Sequence, residues 1–248
     1  SFSSALRKNA IDNFDIIFCP CPHHVSEVKM LEEFYKLPPK ILVETGYVKV
    51  DVLIEKYNSF QKKQITKSEK ETILIAPVWG KHGILEMGKG ASIIDSLISQ
   101  KYNVVLRPHP ETFKHSPKKV EEISHKYKHH PQFTLEKNIT DDTSLFSSKA
   151  LVTDWSGIAW EYALALKKPI LFIDTPQRIN NEDYHKLPIR SFEENMREKC
   201  GIIWDGESPI ADLIYSNVNS SLQTSEYVFN VSNSSKIAAE YIINLAND

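Results

Sequence analysis

Ala150-Leu151-Val152-Thr153-Asp154-Trp155-Ser156-Gly157-Ile158-Ala159-Trp160-Glu161-Tyr162-Ala163 reads as a buried strand, a polar turn and the start of a helix. Its apolar opening is too short for a helix and is followed at once by cap-forming residues, so the period changes from strand to helix at Thr153 to Gly157. The same alternation extends in both directions along the chain. Strands are expected at Ile16–Cys19, Ile41–Glu44, Thr72–Ala76, Asn103–Arg107, Gln132–Leu135, Ala150–Thr153 and Ile170–Ile173. Helices are expected at Val25–Tyr35, Val50–Tyr57, Ala91–Gln100, Lys118–Lys126, Ser156–Leu166 and Ser235–Leu245. Apolar runs separated by amphipathic segments indicate an α/β class with a parallel sheet covered on both faces.

Composition bounds what such a fold can do. The 248 residues are 41% hydrophobic and 25% charged, ordinary values for a globular chain. Thirty basic and 32 acidic side chains leave a formal net charge of -2, so no global field draws the protein to nucleic acid or anionic lipid. No apolar run approaches the roughly 20 residues needed to cross a bilayer. Cys19, Cys21 and Cys200 match neither a disulfide framework nor a zinc motif, which suits a reducing cytoplasm. The polar stretch 61–71 is expected to be a linker between a partial α/β segment, 1–60, and a Rossmann-like domain, 72–248. The first segment, with two strands, reads as the closing part of a domain whose beginning is absent.

Ligands of open parallel sheets bind beyond the carboxyl ends of the strands. Two strand ends therefore draw the search for chemistry. In Val104-Val105-Leu106-Arg107-Pro108-His109-Pro110-Glu111, two prolines restrict the backbone around a histidine. Arg107 can clamp a phosphate bidentately, and His109 can donate to a phosphoryl oxygen or protonate a leaving group. The plain alternative is a rigid turn with a surface histidine. At the second strand end Ser156 is placed to cap the following helix, and Gly157 clears the approach to its free N–H groups. Thr153, Asp154, Ser156 and Gly157 thus form a candidate phosphate cradle without a Walker lysine, and Glu161 is a candidate for ribose hydroxyls; an ordinary capped helix with an exposed glutamate is the alternative. The loop Ile75-Ala76-Pro77-Val78-Trp79-Gly80-Lys81-His82-Gly83 offers Gly80 and Lys81 toward the same edge, with Arg178 a weaker contact. His23-His24 and His129-His130 are adjacent pairs whose side chains are expected to diverge as surface histidines. No carboxylate cluster demands a metal, so none is expected.

Taken together, these segments resemble the CDP-glycerol glycerophosphotransferase family, the teichoic-acid primases and polymerases of GT-B fold. The resemblance rests on Gly46-Tyr47-Val48-Lys49-Val50-Asp51-Val52-Leu53, Ile73-Leu74-Ile75-Ala76-Pro77-Val78-Trp79, Arg107-Pro108-His109-Pro110, and Thr153-Asp154-Trp155-Ser156-Gly157 with Glu161-Tyr162-Ala163 and Lys168-Pro169-Ile170. It implies that Arg107, His109, Thr153, Ser156 and Gly157 surround the diphosphate of a CDP-linked donor and that Glu161 holds the ribose. An acceptor hydroxyl on a polymer or lipid-linked chain would attack the phosphoryl group nearer the glycerol, with CMP leaving and no cofactor required. The implied product is a cell-surface polymer such as teichoic acid or capsule. The implied place is the cytoplasm, with docking at the inner membrane face through further parts or a partner. Departures from the family's pattern are Gly157 for a second serine, Trp155 for a tyrosine, Glu161 for an aspartate and Val48 for a proline. Nothing in the chain matches the family's His-Gly segment, so donor binding without turnover is a second expectation. A sugar transferase or 2-epimerase using a UDP- or CMP-linked sugar, and a non-catalytic nucleotide-binding module, share the same sheet edge.

Overall fold

The structure, a computed structural model, describes residues 1–63, 71–216 and 218–247. Eight strands occur among them: β1 (Ile16–Cys19), β2 (Ile41–Glu44), β3 (Thr72–Ile75), β4 (Asn103–Leu106), β5 (Phe133–Leu135), β6 (Ala150–Thr153), β7 (Ile170–Ile173) and β8 (Ile202–Trp204). β1 and β2 form a two-stranded sheet, and the others a six-stranded sheet in the order β5-β4-β3-β6-β7-β8. Every pairing is parallel. The order runs outward from β3 in one direction and from β6 in the other, which is the doubly wound Rossmann arrangement. Its switch point lies between β3 and β6, where Ile73, Leu74 and Ile75 pair with Ala150, Leu151 and Val152.

Alternation within the strands builds the core. Ile73 and Ile75, Val104 and Leu106, Ala150 and Val152, and Leu171 and Ile173 form one buried cluster with Ile93, Ile94 and Leu97 of the helix Gly90–Ser99. Residues two apart share a sheet face and residues three or four apart share a helix face, so these spacings bring the two apolar surfaces together. Truncating one such residue to alanine removes about 2–5 kcal/mol. The intervening Leu74, Leu151 and Phe172 are equally buried, as expected of strands covered on both sides.

The chain divides into two compact units. Tyr57–Gln177 and Arg197–Leu222 make the unit of the six-stranded sheet. Ser1–Lys56, Arg178–Met196 and Gln223–Asp248 make the other. The sequence expectation of one domain over 72–248 is corrected by this division. The last helix, Ser234–Asn247, belongs with the N-terminal segment, where Asp51 accepts hydrogen bonds from the backbone N–H of Ser232 (2.7 Å) and Ser234 (3.1 Å). Gly46 makes that return possible. Its φ is +95°, and a Cβ there would sit 2.3 Å from the Phe229 carbonyl oxygen. Asn181 adds a side-chain bond to the Ser3 carbonyl at 2.9 Å.

Of the expected linker, Gln61 to Lys63 continue the helix Val48–Lys63, and 64–70 lie outside the described residues. β8 was not expected; three residues with Ile203 exposed carry too little periodicity to be recognised. Among the described residues no helix is long and apolar enough to cross a membrane.

Candidate functional site

The carboxyl end of β6 is stitched to that of β3. Asp154 is fully buried, and its two carboxyl oxygens accept from the backbone N–H of Val78 (2.7 Å) and Ile84 (3.0 Å). The Thr153 hydroxyl donates to the Ala76 carbonyl at 2.7 Å. Three bonds therefore fix the loop after β3 against the turn after β6 at the switch point. Burial pushes the Asp154 carboxyl up to about 6, opposed by the N–H groups that it accepts from. Thr153 and Asp154, expected as phosphate ligands, are instead the residues that hold the turn in shape.

Ser156 and Gly157 follow on the open side. The helix Ile158–Glu161 is capped by Gly157 and continues as a π-helical turn over Tyr162–Leu166. The side-chain cap expected of Ser156 does not form; its carbonyl accepts from Ala159 N–H at 3.1 Å. Gly157 is exposed with φ near -60°, and a Cβ there would meet nothing within 4 Å. Glu161, expected at the ribose, is buried at 5% exposure.

Within the stitched loop, Gly80 has φ +105°, a conformation that favours glycine, and donates its N–H to Glu86 at 3.3 Å. Lys81 beside it is exposed. Arg178 is exposed and belongs to the other unit.

At the end of β4, Arg107 and His109 part company. Arg107 is buried at 7% exposure. Its guanidinium donates to the carbonyls of Asp141 (3.0 Å) and Ile139 (2.5 Å) and to the Ser144 hydroxyl (3.3 Å), with Glu136 at 3.7 Å. An arginine engaged in this way braces the 136–144 loop, which corrects the expectation of a phosphate clamp. His109 is half-buried and caps the helix Pro110–His115, its Nδ1 accepting from Glu111 N–H at 3.1 Å. An imidazole whose Nδ1 accepts from a backbone N–H carries its ring proton on Nε2. The Trp79 ring stacks near it, with centroids 6.2 Å apart, and at 5.4 Å from His115.

A second arginine was missed by sequence reasoning. Arg197 lies over the Trp155 ring at 4.1 Å, bonds Asp174 Oδ1 at 3.2 Å and donates to the Ile173 carbonyl at 3.3 Å. Trp155 is held in turn by its Nε1–H to the Thr175 carbonyl at 2.6 Å. Arg197 is 40 residues beyond the end of the Thr153–Gly157 turn, so no local spacing linked them.

Residues 7–238 match the family described as CDP-Glycerol:Poly(glycerophosphate) glycerophosphotransferase. The chain belongs to that family. No curated protein matches the sequence. Among solved structures, the wall teichoic acid polymerase TagF is 18% identical with a TM-score of 0.55, covering 93% of this chain and 57% of that one. UDP-GlcNAc 2-epimerase from Neisseria meningitidis, bound to UDP-GlcNAc, is 17% identical with a TM-score of 0.57, covering 88% of this chain and 60% of that one. The Methanocaldococcus jannaschii UDP-GlcNAc 2-epimerase, in complex with UDP-GlcNAc and UDP, is 13% identical with a TM-score of 0.57, covering 92% and 61%. At these identities the likeness shows the fold, which is of GT-B type. The chain spans about three-fifths of the length of these solved chains.

The pair His23-His24 also differs from expectation. Both imidazoles are half-buried, and their centroids lie 4.0 Å apart. Burial, reinforced for His23 by its neighbour, lowers His23 to about 2 and His24 to about 4. They are neutral at physiological pH and do not form the solvated surface pair that their adjacency suggested.

Proposed function

We propose that this chain is the donor-binding portion of a transferase that moves glycerol phosphate, or a related polyol phosphate, from a CDP-linked donor to a cell-surface polymer such as teichoic acid or capsule. The observation that carries the reading is the switch-point edge of a family member. There Asp154 fixes two loops, Ser156 and Gly157 leave a helix start open, and His109 holds a directed Nε2–H. Backbone N–H groups at such a start suit a diphosphate. Gly80 and Lys81 add a close backbone and a cation on the neighbouring loop. Arg107, Thr153 and Asp154 act here as positioning residues.

In the proposed reaction an acceptor hydroxyl attacks the phosphorus that bears the glycerol. A new P–O ester bond forms, the bond to the bridging oxygen breaks, and CMP leaves with that oxygen. The hydroxyl proton passes to solvent or to a base outside the motifs found in this chain. His109 donates its Nε2 hydrogen bond to the departing phosphate, and positioning and charge stabilisation supply most of the acceleration. The reading needs no cofactor. It places the chain in the cytoplasm, where it would work at the inner membrane face.

Calorimetric titration with CDP-glycerol, CDP, UDP and CMP tests it. Cytidine-selective binding, tighter for CDP-glycerol than for CMP, is expected. Uridine selectivity would replace the reading with a nucleotide-sugar enzyme. Absence of nucleotide binding would overturn it altogether.

A further inference from the structure

A cluster in the unit of the two-stranded sheet has no part in the donor reading. Cys21, His23 and His24 open the helix Pro22–Tyr35, with Cys21 as its N-cap and Pro22 at the first helical position. Among the described residues, these three bring one ligating atom each to within 4.8 Å of one another. The convergence has a local cause. N-cap and third helical residues face each other across the first turn, as the capping box exploits, and the His24 N–H closes that turn on the Cys21 carbonyl at 3.0 Å. The fixed φ of Pro22 sets the approach between them.

The rings are held from outside. His23 stacks on Phe192 with centroids 3.9 Å apart and planes 15° apart, and His24 packs on Phe2 at 4.4 Å. Cys21 is a free, buried thiol. Nδ1 of His24 is buried and has no hydrogen-bond partner among the described residues. An enclosed imidazole nitrogen without a proton partner, beside a thiol and a second imidazole, is the observation that points to a ligand.

We propose that Cys21, His23 and His24 form a binding site for a borderline-soft divalent cation of the zinc class. One thiolate with two imidazoles suits zinc and its neighbours and does not suit magnesium or calcium, which take oxygen ligands. Tetrahedral ligation at about 2.0–2.3 Å sets ligand atoms roughly 3.3–3.6 Å apart. The three atoms therefore need to close by up to about 1.5 Å, which side-chain rotation supplies. On binding, the Cys21 thiol loses its proton to solvent as the sulfur–metal bond forms, and the two imidazoles bind in their neutral form. Three protein ligands leave a fourth position for water or an exogenous group.

Cobalt titration of the purified chain, followed by absorption, tests this independently of nucleotide binding. One equivalent is expected to produce a thiolate-to-cobalt charge-transfer band and tetrahedral d–d bands, both removed by adding zinc. Cys21→Ser should abolish the charge-transfer band, while Cys19→Ser and Cys200→Ser should keep it. His24→Asn should weaken cobalt binding by more than about tenfold. If Cys21→Ser does not fold, His23→Phe, which retains a ring against Phe192, should give the same weakening as His24→Asn. A spectrum without the charge-transfer band, a band that persists in a folded Cys21→Ser, or unchanged affinity in both histidine variants would overturn the site and leave adventitious metal only.

Discussion

The turns after β6 and after β4 look alike in sequence, each an apolar strand ending in polar groups suited to phosphate, yet they divide their residues differently. After β6 the two residues nearest the strand, Thr153 and Asp154, are buried stitches, and the less buried Ser156 and the exposed Gly157 follow them. After β4 the nearer residue, Arg107, braces a neighbouring loop, and His109 two positions on is half-buried and caps the helix Pro110–His115. In both, the charged side chain closest to the strand holds a neighbouring loop, and the residue two positions on is less buried. Reading charge alone assigns the builders to the ligand.

The largest expected effect breaks the β6 stitch. Asp154→Ala leaves the N–H groups of Val78 and Ile84 without their acceptor, which costs about 2–6 kcal/mol in urea unfolding at about 1–3 kcal/mol per group. CDP binding should fall below detection with it. Preserved stability would show that the loop does not depend on the carboxylate.

Arg107→Ala tests the equivalent brace after β4. Loss of about 2–4 kcal/mol of stability is expected, because a buried guanidinium is removed with its three hydrogen bonds to Ile139, Asp141 and Ser144. A phosphate clamp would give the opposite pattern, weaker CDP binding at unchanged stability.

The buried carboxyl also makes the β6 turn sensitive to pH. Its folded value of about 6 lies above the ordinary 3.8, so the folded state holds the proton more tightly. The contribution is present in full below about pH 4 and is lost as pH rises through about 6, a change of up to about 3 kcal/mol. The stability difference between the wild type and Asp154→Asn should therefore shrink over that window in urea titrations. A difference that is flat with pH would place the carboxyl in a more solvated setting.

His109→Asn separates presenting from building. Asparagine can accept from Glu111 N–H as a helix cap, so stability should change by less than about 1 kcal/mol. CDP affinity should fall by about 10–100-fold through loss of the Nε2–H, a change that calorimetry resolves. Gly157→Ala is the mildest test. Its backbone is ordinary for alanine and the added methyl meets open space, so stability should rise by about 0.4–1 kcal/mol. Binding should nonetheless weaken a fewfold if the diphosphate approaches there.

The sheet was legible because its strands are continuous apolar runs whose alternate residues meet one helix face, as in Ile73, Ile75 and Ile93. β6 and β7 were placed to the residue for that reason. The division of the chain was not legible, since Asp51 and Gly46 act on a segment about 180 residues away. Arg197 over Trp155 was hidden by the same kind of separation. The candidate site was legible as a set of strand ends and not as a set of roles. Whether Asp154 meets a ligand or two backbone N–H groups depends on a loop 70 residues earlier. The His23-His24 pair was misread because adjacency implies divergence only where no turn and no aromatic neighbour, such as Phe192, redirects the rings.

Hydrogen exchange with and without saturating CDP-glycerol is the most direct test that the two turns form one donor site. Slower amide exchange is predicted in peptides covering both Asp154–Ala159 and His109–Thr112, with the same slowing absent in Ser234–Asn247. Protection of only one turn, or of neither while the nucleotide is bound, would contradict the account.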